Sequence, residues 1–288
     1  MAAERSPALK SEGEYITPLR LQLEGFRRSD APAIPQLAVP VSLIHYIHKT
    51  STSSSSPLTA ATADLSIIAF YYLLRVGEYT QPRKVKVNGK WHRATRTQQF
   101  QVGDIGFFKD GKVLSRKSPL KALLQADSAT LKISNQKNGR MGQTIHHEST
   151  GPSGAVAALA RRIHHILHHG GKESDLICAV FQNNTWVSVT NTNVITLLRA
   201  AAKKLKLSTK GIDPDLIGTH SLRAGGAMAL KLQNHEDTTI QKLGRWSSAT
   251  WLQYIHNQIA HLSAGVAKSM SEELPFINIA FIEPPSST

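Results

Sequence analysis

Four short β-prone runs stand together between residues 100 and 147, in a chain whose other strong patterns are helical. They are QVGDIGFF, GKVLS, ATLKIS and GQTIHHE, and the turn-forming segments KDGK and NQKNGRMG break them apart. Asn138-Gly139 is a hairpin signal and sets Lys137 at a hairpin tip. Around this block lie helical segments. In 58–80, Leu65, Ile68, Tyr72 and Val76 form one apolar stripe with Ala69 and Leu73 beside it. Gly77 and Pro82 close that helix, leaving Arg75 and Glu78 three apart at its end. A second helix covers 153–169, with Val156, Leu159, Ile163, Ile166 and Leu167 on its core face. A third covers 191–206, capped by Thr190 or Asn191, with Val194, Leu197, Leu198, Ala201 and Leu205 buried. The pattern predicts a mainly α domain carrying a small antiparallel β-sheet, an α+β fold.

The main domain is expected over 58–270. Residues 1–57 read as a lead-in, broken by Pro32, Pro35 and Pro40 and by the run STSSSS. Within it, PVSLIHYIHKT is expected to form one short helix that docks on the main domain. Residues 271–288 end in EPPSST and are expected to be a flexible tail. The segment PRKVKVNGKWHRATRTQ shows no clear periodicity. Its Lys84, Lys86, Lys90, Arg93 and Arg96 fit DNA contacts and a solvated basic loop equally well.

Charge narrows the partners. Lys and Arg number 34 against 20 Asp and Glu, a formal net charge of +14. The basic residues are spread through the helical and β segments, which favours a surface for a polyanion, most often nucleic acid, over a disordered arm. There is no apolar run of membrane-spanning length and no secretory leader pattern, so an intracellular protein with no membrane partner is expected. Cys178 is the single cysteine, which excludes an internal disulfide and a multi-cysteine zinc site. No phosphate-binding G-x-x-x-x-G-K-[ST] loop and no G-x-S-x-G elbow is present, and the carboxylates are too scattered for a two-metal nuclease.

The last third carries the densest chemistry. THSLRAGGAMAL places His220 and Arg223 one helical turn apart on one face. Tyr254 follows in a second short helical run, 249–259. A guanidinium grips phosphate oxygens, an imidazole moves a proton and a phenol attacks. A His-x-x-Arg pair is also common in ordinary helices and tyrosines are often packing residues, so these three alone leave both readings open.

The ordered series LLRVGE, a hairpin with lysine at its tip, THSLR, LGRWSS and WLQYIH resembles the catalytic domain of the tyrosine recombinase (phage integrase) family. The resemblance covers roughly residues 58–268. The wording of FYYLLRVGEYT, THSLRAGGAMAL and GRWSSATWLQYI is most similar to recombinases encoded by eukaryotic mobile elements of the Crypton kind. The resemblance implies roles by position. Arg75 is the first arginine and Glu78 the acidic residue that supports it. Lys137 is the hairpin lysine, His220 and Arg223 form the His-x-x-Arg motif, and Tyr254 is the nucleophile. The family commonly places His or Trp directly after the glycine of its Leu-Gly motif. Here Arg245 holds that place and Trp246 follows, so either could supply the hydrogen bond to phosphate; spacing favours Arg245.

Such a protein is expected to cleave and rejoin double-stranded DNA through a covalent 3′-phosphotyrosyl intermediate, without metal or other cofactor. It would work as a homotetramer on paired sites, in the nucleus if the cell is eukaryotic. A tyrosine phenol with a pKa of about 10 needs such help, because an anionic phosphodiester repels its ionised form. Two alternatives share the fold: a DNA-binding relic without activity, and a type IB topoisomerase. Family members usually carry a core-binding domain ahead of the catalytic one, and only about 57 residues precede it here. That short lead-in is therefore expected to be a remnant of the core-binding region.

Other features have two readings. RRIHHILHH sets His164 with His168, and His165 with His169, at a spacing that can bind zinc, but a polar helix face near DNA explains it equally. His146 and His147 are expected on a strand near phosphate. Gly225 and Gly226 inside a helix point to close helix packing. Trp251 and Leu252 are expected to anchor the tyrosine helix.

Overall fold

A computed structural model describes residues 10–11, 14–15, 37–51, 54–82, 84–87, 90–93, 98–133, 142–246, 248, 251–252 and 270. The chain divides into two compact units, residues 1–35 and 36–288. In the first, β1 (Lys10–Ser11) and β2 (Glu14–Tyr15) pair antiparallel, Lys10 opposite Tyr15.

The second unit opens with α1 (Val41–Ser51), whose Leu43, Ile44 and Ile47 are fully buried in the main core. Next comes α2 (Pro57–Tyr71). Ser56 caps it by accepting from the Thr59 N–H at 3.3 Å, and Pro57 suits its first turn. The sequence suggests one apolar stripe here, but every residue from Ala61 to Phe70 is buried. A helix apolar on all sides belongs at the centre of a core. Accordingly α2 is packed against α1, α5 (Ala155–His168), α6 (Asn191–Lys204) and α7 (Ser221–Leu232). Its one charged residue, Asp64, is held by Arg161 of α5 at 2.6 Å.

The sheet has the expected four strands: β5 (Ile105–Lys109), β6 (Lys112–Leu114), β7 (Ser128–Ile133) and β8 (Gln143–Glu148). Their spatial order is β6-β5-β7-β8, all antiparallel, with the one-turn helix α4 (Leu120–Leu123) between β6 and β7 along the chain. Alternate residues Ile105, Phe107, Ala129, Leu131, Ile133 and Ile145 face the core, as the two-residue period of a strand requires. Tyr72, just past α2, donates its hydroxyl to the Ala129 carbonyl at 3.0 Å and ties the central helix to this sheet. His147 of β8 lies edge-on against the Tyr72 ring, centroids 4.5 Å apart. His146 and His147 both lie on β8, the strand placement expected of them.

Two hairpins were not foreseen. β3 (Lys84–Val87) pairs with β4 (Lys90–Arg93) inside the basic segment, and Asn88-Gly89 between them is the signal that could have found it. β9 (Ala179–Gln182) pairs with β10 (Thr185–Ser188) across Asn183-Asn184, both at positive φ, where asparagine is well tolerated. The cap of α6 is Thr190, in reciprocal bonds with Asn193.

The larger difference lies at 58–80. Instead of one helix ending near Gly77, α2 stops at Tyr71. The Leu74 N–H bonds back to the Ala69 carbonyl at 3.0 Å, and Leu73 takes the left-handed conformation, φ 50°. This is a Schellman ending with leucine where glycine is usual. The chain then runs extended through Arg75 into a one-turn helix, α3 (Val76–Tyr79).

Candidate functional site

The break after α2 organises the site. A helix ends with carbonyls that have no partner within the helix, and with the negative end of its dipole. Just past the cap, the left-handed Leu73 turns its own carbonyl toward α7. That helix comes unusually close because of its two glycines. A Cβ on Gly225 would stand 2.3 Å from the Val39 carbonyl oxygen, and one on Gly226 2.3 Å from that of Phe70. The close packing expected of Gly225 and Gly226 is present, and it brings Arg223 to the break. The Arg223 Nη1 donates to the Leu73 carbonyl and its Nη2 to that of Gly244.

Gly244 ends α8 (Asp237–Gly244) in a second Schellman turn. The Trp246 N–H bonds to the Gln241 carbonyl at 3.0 Å, and Arg245 takes the left-handed place, φ 60°. The Trp246 ring folds back over Gly244 so closely that a Cβ there would lie 1.5 Å from it. Glycine is therefore required for Trp246 to cover Arg223, whose Cζ sits 4.1 Å from the ring centroid. Trp246 and Trp251 are buried together with Leu73, Ala227 and Ile240.

Arg245 points inward. Its Nη1 and Nη2 meet the two oxygens of Glu78 at 3.2 and 3.0 Å, and Nη2 also reaches the Leu73 carbonyl at 3.1 Å. Glu78 in turn accepts the Arg75 N–H at 2.8 Å, half of a capping box that starts α3. The Arg75 Nη1 lies 3.5 Å from the same carboxylate, with that side chain 24% exposed. Three guanidiniums are thus linked through one peptide oxygen and one carboxylate.

His220 holds the N-cap position of α7 without a side-chain cap bond, one edge open to solvent and the other against the arginines. Partial burial, then the charges of Arg223 and Arg75, hold its pKa below the usual histidine value. These surroundings favour the neutral imidazole, with two cations close by.

Of the expected site residues, the fold brings together Arg75, Glu78, His220, Arg223, Arg245 and Trp246. Lys137 and Tyr254 lie outside the described residues, as does most of the run 249–259. Lys137 belongs to the segment linking β7 to β8, and Tyr254 follows Trp246 by eight positions. The carbonyls of Leu73 and Gly244 had no sequence signal as arginine acceptors, since neither left-handed turn holds glycine at its key position.

The histidine run of α5 is used differently. The His165 Nε2 accepts the Phe181 N–H at 3.0 Å, while His164 and His168 stack on each other, centroids 5.2 Å apart. Among the described residues no three His, Cys, Asp or Glu side chains converge as metal ligands would.

No protein-family model and no curated protein matches the chain. Solved structures do. The chain is similar to XerA recombinase at 12% identity, over 85% of this chain and 67% of that one, with a TM-score of 0.46. It is similar to XerH site-specific recombinase bound to its difH substrate at 13% identity and a TM-score of 0.48. That match covers 84% of this chain and 56% of XerH, so the chain spans little more than half of that protein. A third is the Tn1549 transposon integrase in complex with transposon right-end DNA, at 11% identity and a TM-score of 0.43, covering 84% and 69%.

Proposed function

We propose that this chain is a DNA strand-breaking and rejoining enzyme of the tyrosine recombinase type. One observation carries the reading: Arg75 and Arg245 share the Glu78 carboxylate, Arg223 joins Arg245 on the Leu73 carbonyl, and His220 stands near Arg223 and Arg75. Three positive charges against one negative, in a largely dry setting, leave an excess that a bound anion would offset. The overall charge of +14 suits a DNA phosphodiester as that anion.

In this reading the partly exposed Arg75 meets the non-bridging oxygens of the phosphate as negative charge builds on it, and the buried Arg223 adds positive charge behind it. Tyr254 attacks the phosphorus and forms a 3′-phosphotyrosyl bond. His220 takes the phenolic proton, and Lys137 protonates the departing 5′-oxygen. The bond energy stays in the protein–DNA link, so a 5′-hydroxyl can reverse the step and rejoin the strand. Mobile-element origin, assembly as a tetramer on two DNA sites and a nuclear location in eukaryotic cells belong to the same proposal.

Covalent trapping tests it. The protein is incubated with nicked duplex DNA from a random-sequence pool, denatured and examined for a DNA-linked band. A band that Tyr254→Phe abolishes supports the reading. Salt-sensitive binding without any band would instead favour a DNA-binding relic, and neither binding nor band would sink both.

A further inference from the structure

We propose that Arg245 is a positioning residue: it clamps the Glu78 carboxylate, and through it sets Arg75, without touching the substrate phosphate. The inference rests on the DNA-cleaving reading above and deepens it.

The geometry separates Arg245 from Arg75. The Arg245 side chain is fully buried, whereas that of Arg75 is 24% exposed. The left-handed turn at Arg245 sends its side chain back beneath the α2–α3 break. There the guanidinium fork matches both oxygens of Glu78, a two-point contact that the single ammonium of lysine cannot copy. The clamped carboxylate then fixes Arg75 twice. Its Oε2 takes the Arg75 N–H at 2.8 Å and sets the backbone where α3 begins. Its Oε1 lies 3.5 Å from the Arg75 Nη1 and restrains the side chain. Without Arg245, Glu78 would be a nearly buried carboxylate held by one partly exposed arginine, and a buried charge that loses its partner is strongly disfavoured. The residue after Gly244 therefore works from below the site.

A double-mutant cycle tests the inference. Arg245→Gln, Glu78→Gln and the double variant are compared with the unmodified protein in the rate of covalent complex formation on saturating nicked duplex. Rates are expressed per folded molecule, with the folded fraction taken from urea unfolding. Each single variant is expected to be about a hundredfold slower, the usual cost of a misplaced catalytic group. The double variant should be no slower than the worse single, and Arg245→Lys should fall between. A double variant slower by the product of the two losses, about ten-thousandfold, would overturn the proposal, because Arg245 would then act independently of Glu78. Single variants as fast as the unmodified protein would overturn it too. Should glutamine at either place prevent folding, Arg245→Lys with Glu78→Asp runs the same cycle.

Failure of the DNA-cleaving reading looks different, since the unmodified protein would then give no covalent complex. The cycle is in that case read in affinity for the same duplex by fluorescence anisotropy. Weakening that does not multiply supports the setting of Arg75, whereas weakening that multiplies, or none, overturns it.

Discussion

Arg223 and Arg245 donate to one acceptor, the backbone carbonyl of Leu73. Two guanidiniums on one oxygen would repel each other in most settings. Here the oxygen belongs to the end of α2, where the helix dipole is negative, and Arg223 also reaches the carbonyl end of α8. Two helix ends and one carboxylate thus hold a cluster of positive charge in place. The same contacts make the site sensitive to small changes.

Arg223→Lys removes the fork that spans the Leu73 and Gly244 carbonyls. Leu73 keeps Arg245 as a donor, so the loss falls on the Gly244 carbonyl, and a buried carbonyl without a donor costs about 1–3 kcal/mol. Urea unfolding should show a loss of that order. Covalent trapping should fall by roughly a hundredfold or more, as for loss of a transition-state donor. An unchanged unfolding midpoint would show that these contacts contribute nothing.

Gly226→Ala puts a methyl 2.3 Å from the Phe70 carbonyl oxygen and 2.4 Å from the Leu73 Cδ2. Alanine favours a helix over glycine by about 1 kcal/mol. Overpacking against backbone costs about 1–3 kcal/mol, and the clash should win. The variant is expected to melt at a lower temperature in calorimetry. A higher melting temperature would mean that α7 does not rest on α2 at this point.

His165 links stability to pH. Burial, then the charge of Arg162, pushes its pKa down to about 4, and its Nε2 must stay unprotonated to accept the Phe181 N–H. The unfolded chain, with an ordinary histidine near 6.5, binds a proton first, so stability falls as pH drops from about 6.5 toward 4. Urea midpoints measured across that range should decline, and less so in His165→Gln. Equal slopes in the two proteins would remove His165 from the account.

With His220 as the proposed base, the acid limb of activity follows its titration. Partial burial, then Arg223 and Arg75, lower its pKa, so the neutral base persists below the pH at which free imidazole gains its proton, about 6.5. The trapping rate should hold as pH falls past that value and decline only at lower pH, in step with the His220 ring titration followed by NMR. A ring midpoint at or above 6.5 would contradict the arrangement.

Much of the helical framework was legible in the residues. The buried line of α6 and its Thr190 cap follow from a 3.6-residue period and a side chain that satisfies the first turn. The four strands follow from short β-prone runs and the turn residues between them. The break at Leu73 was hidden because the apolar stripe of 58–80 continues through it in step, and no glycine marks the left-handed residue. Arg245 was ambiguous for a related reason: spacing along the chain counts positions but does not say which way a side chain leaves a helix end.

Periodicity, caps and turn residues act locally, so the class of the fold, the segments that form it and the residue types available for phosphate chemistry can be read along the chain. Which of those residues meet depends on long-range packing. Gly225 and Gly226 let α7 approach α2, and two left-handed turns aim helix-end carbonyls at the arginines that arrive there. Arg75 and Arg245 are 170 residues apart along the chain, and they share one carboxylate because the core, in burying α2, draws both helix ends to the same place.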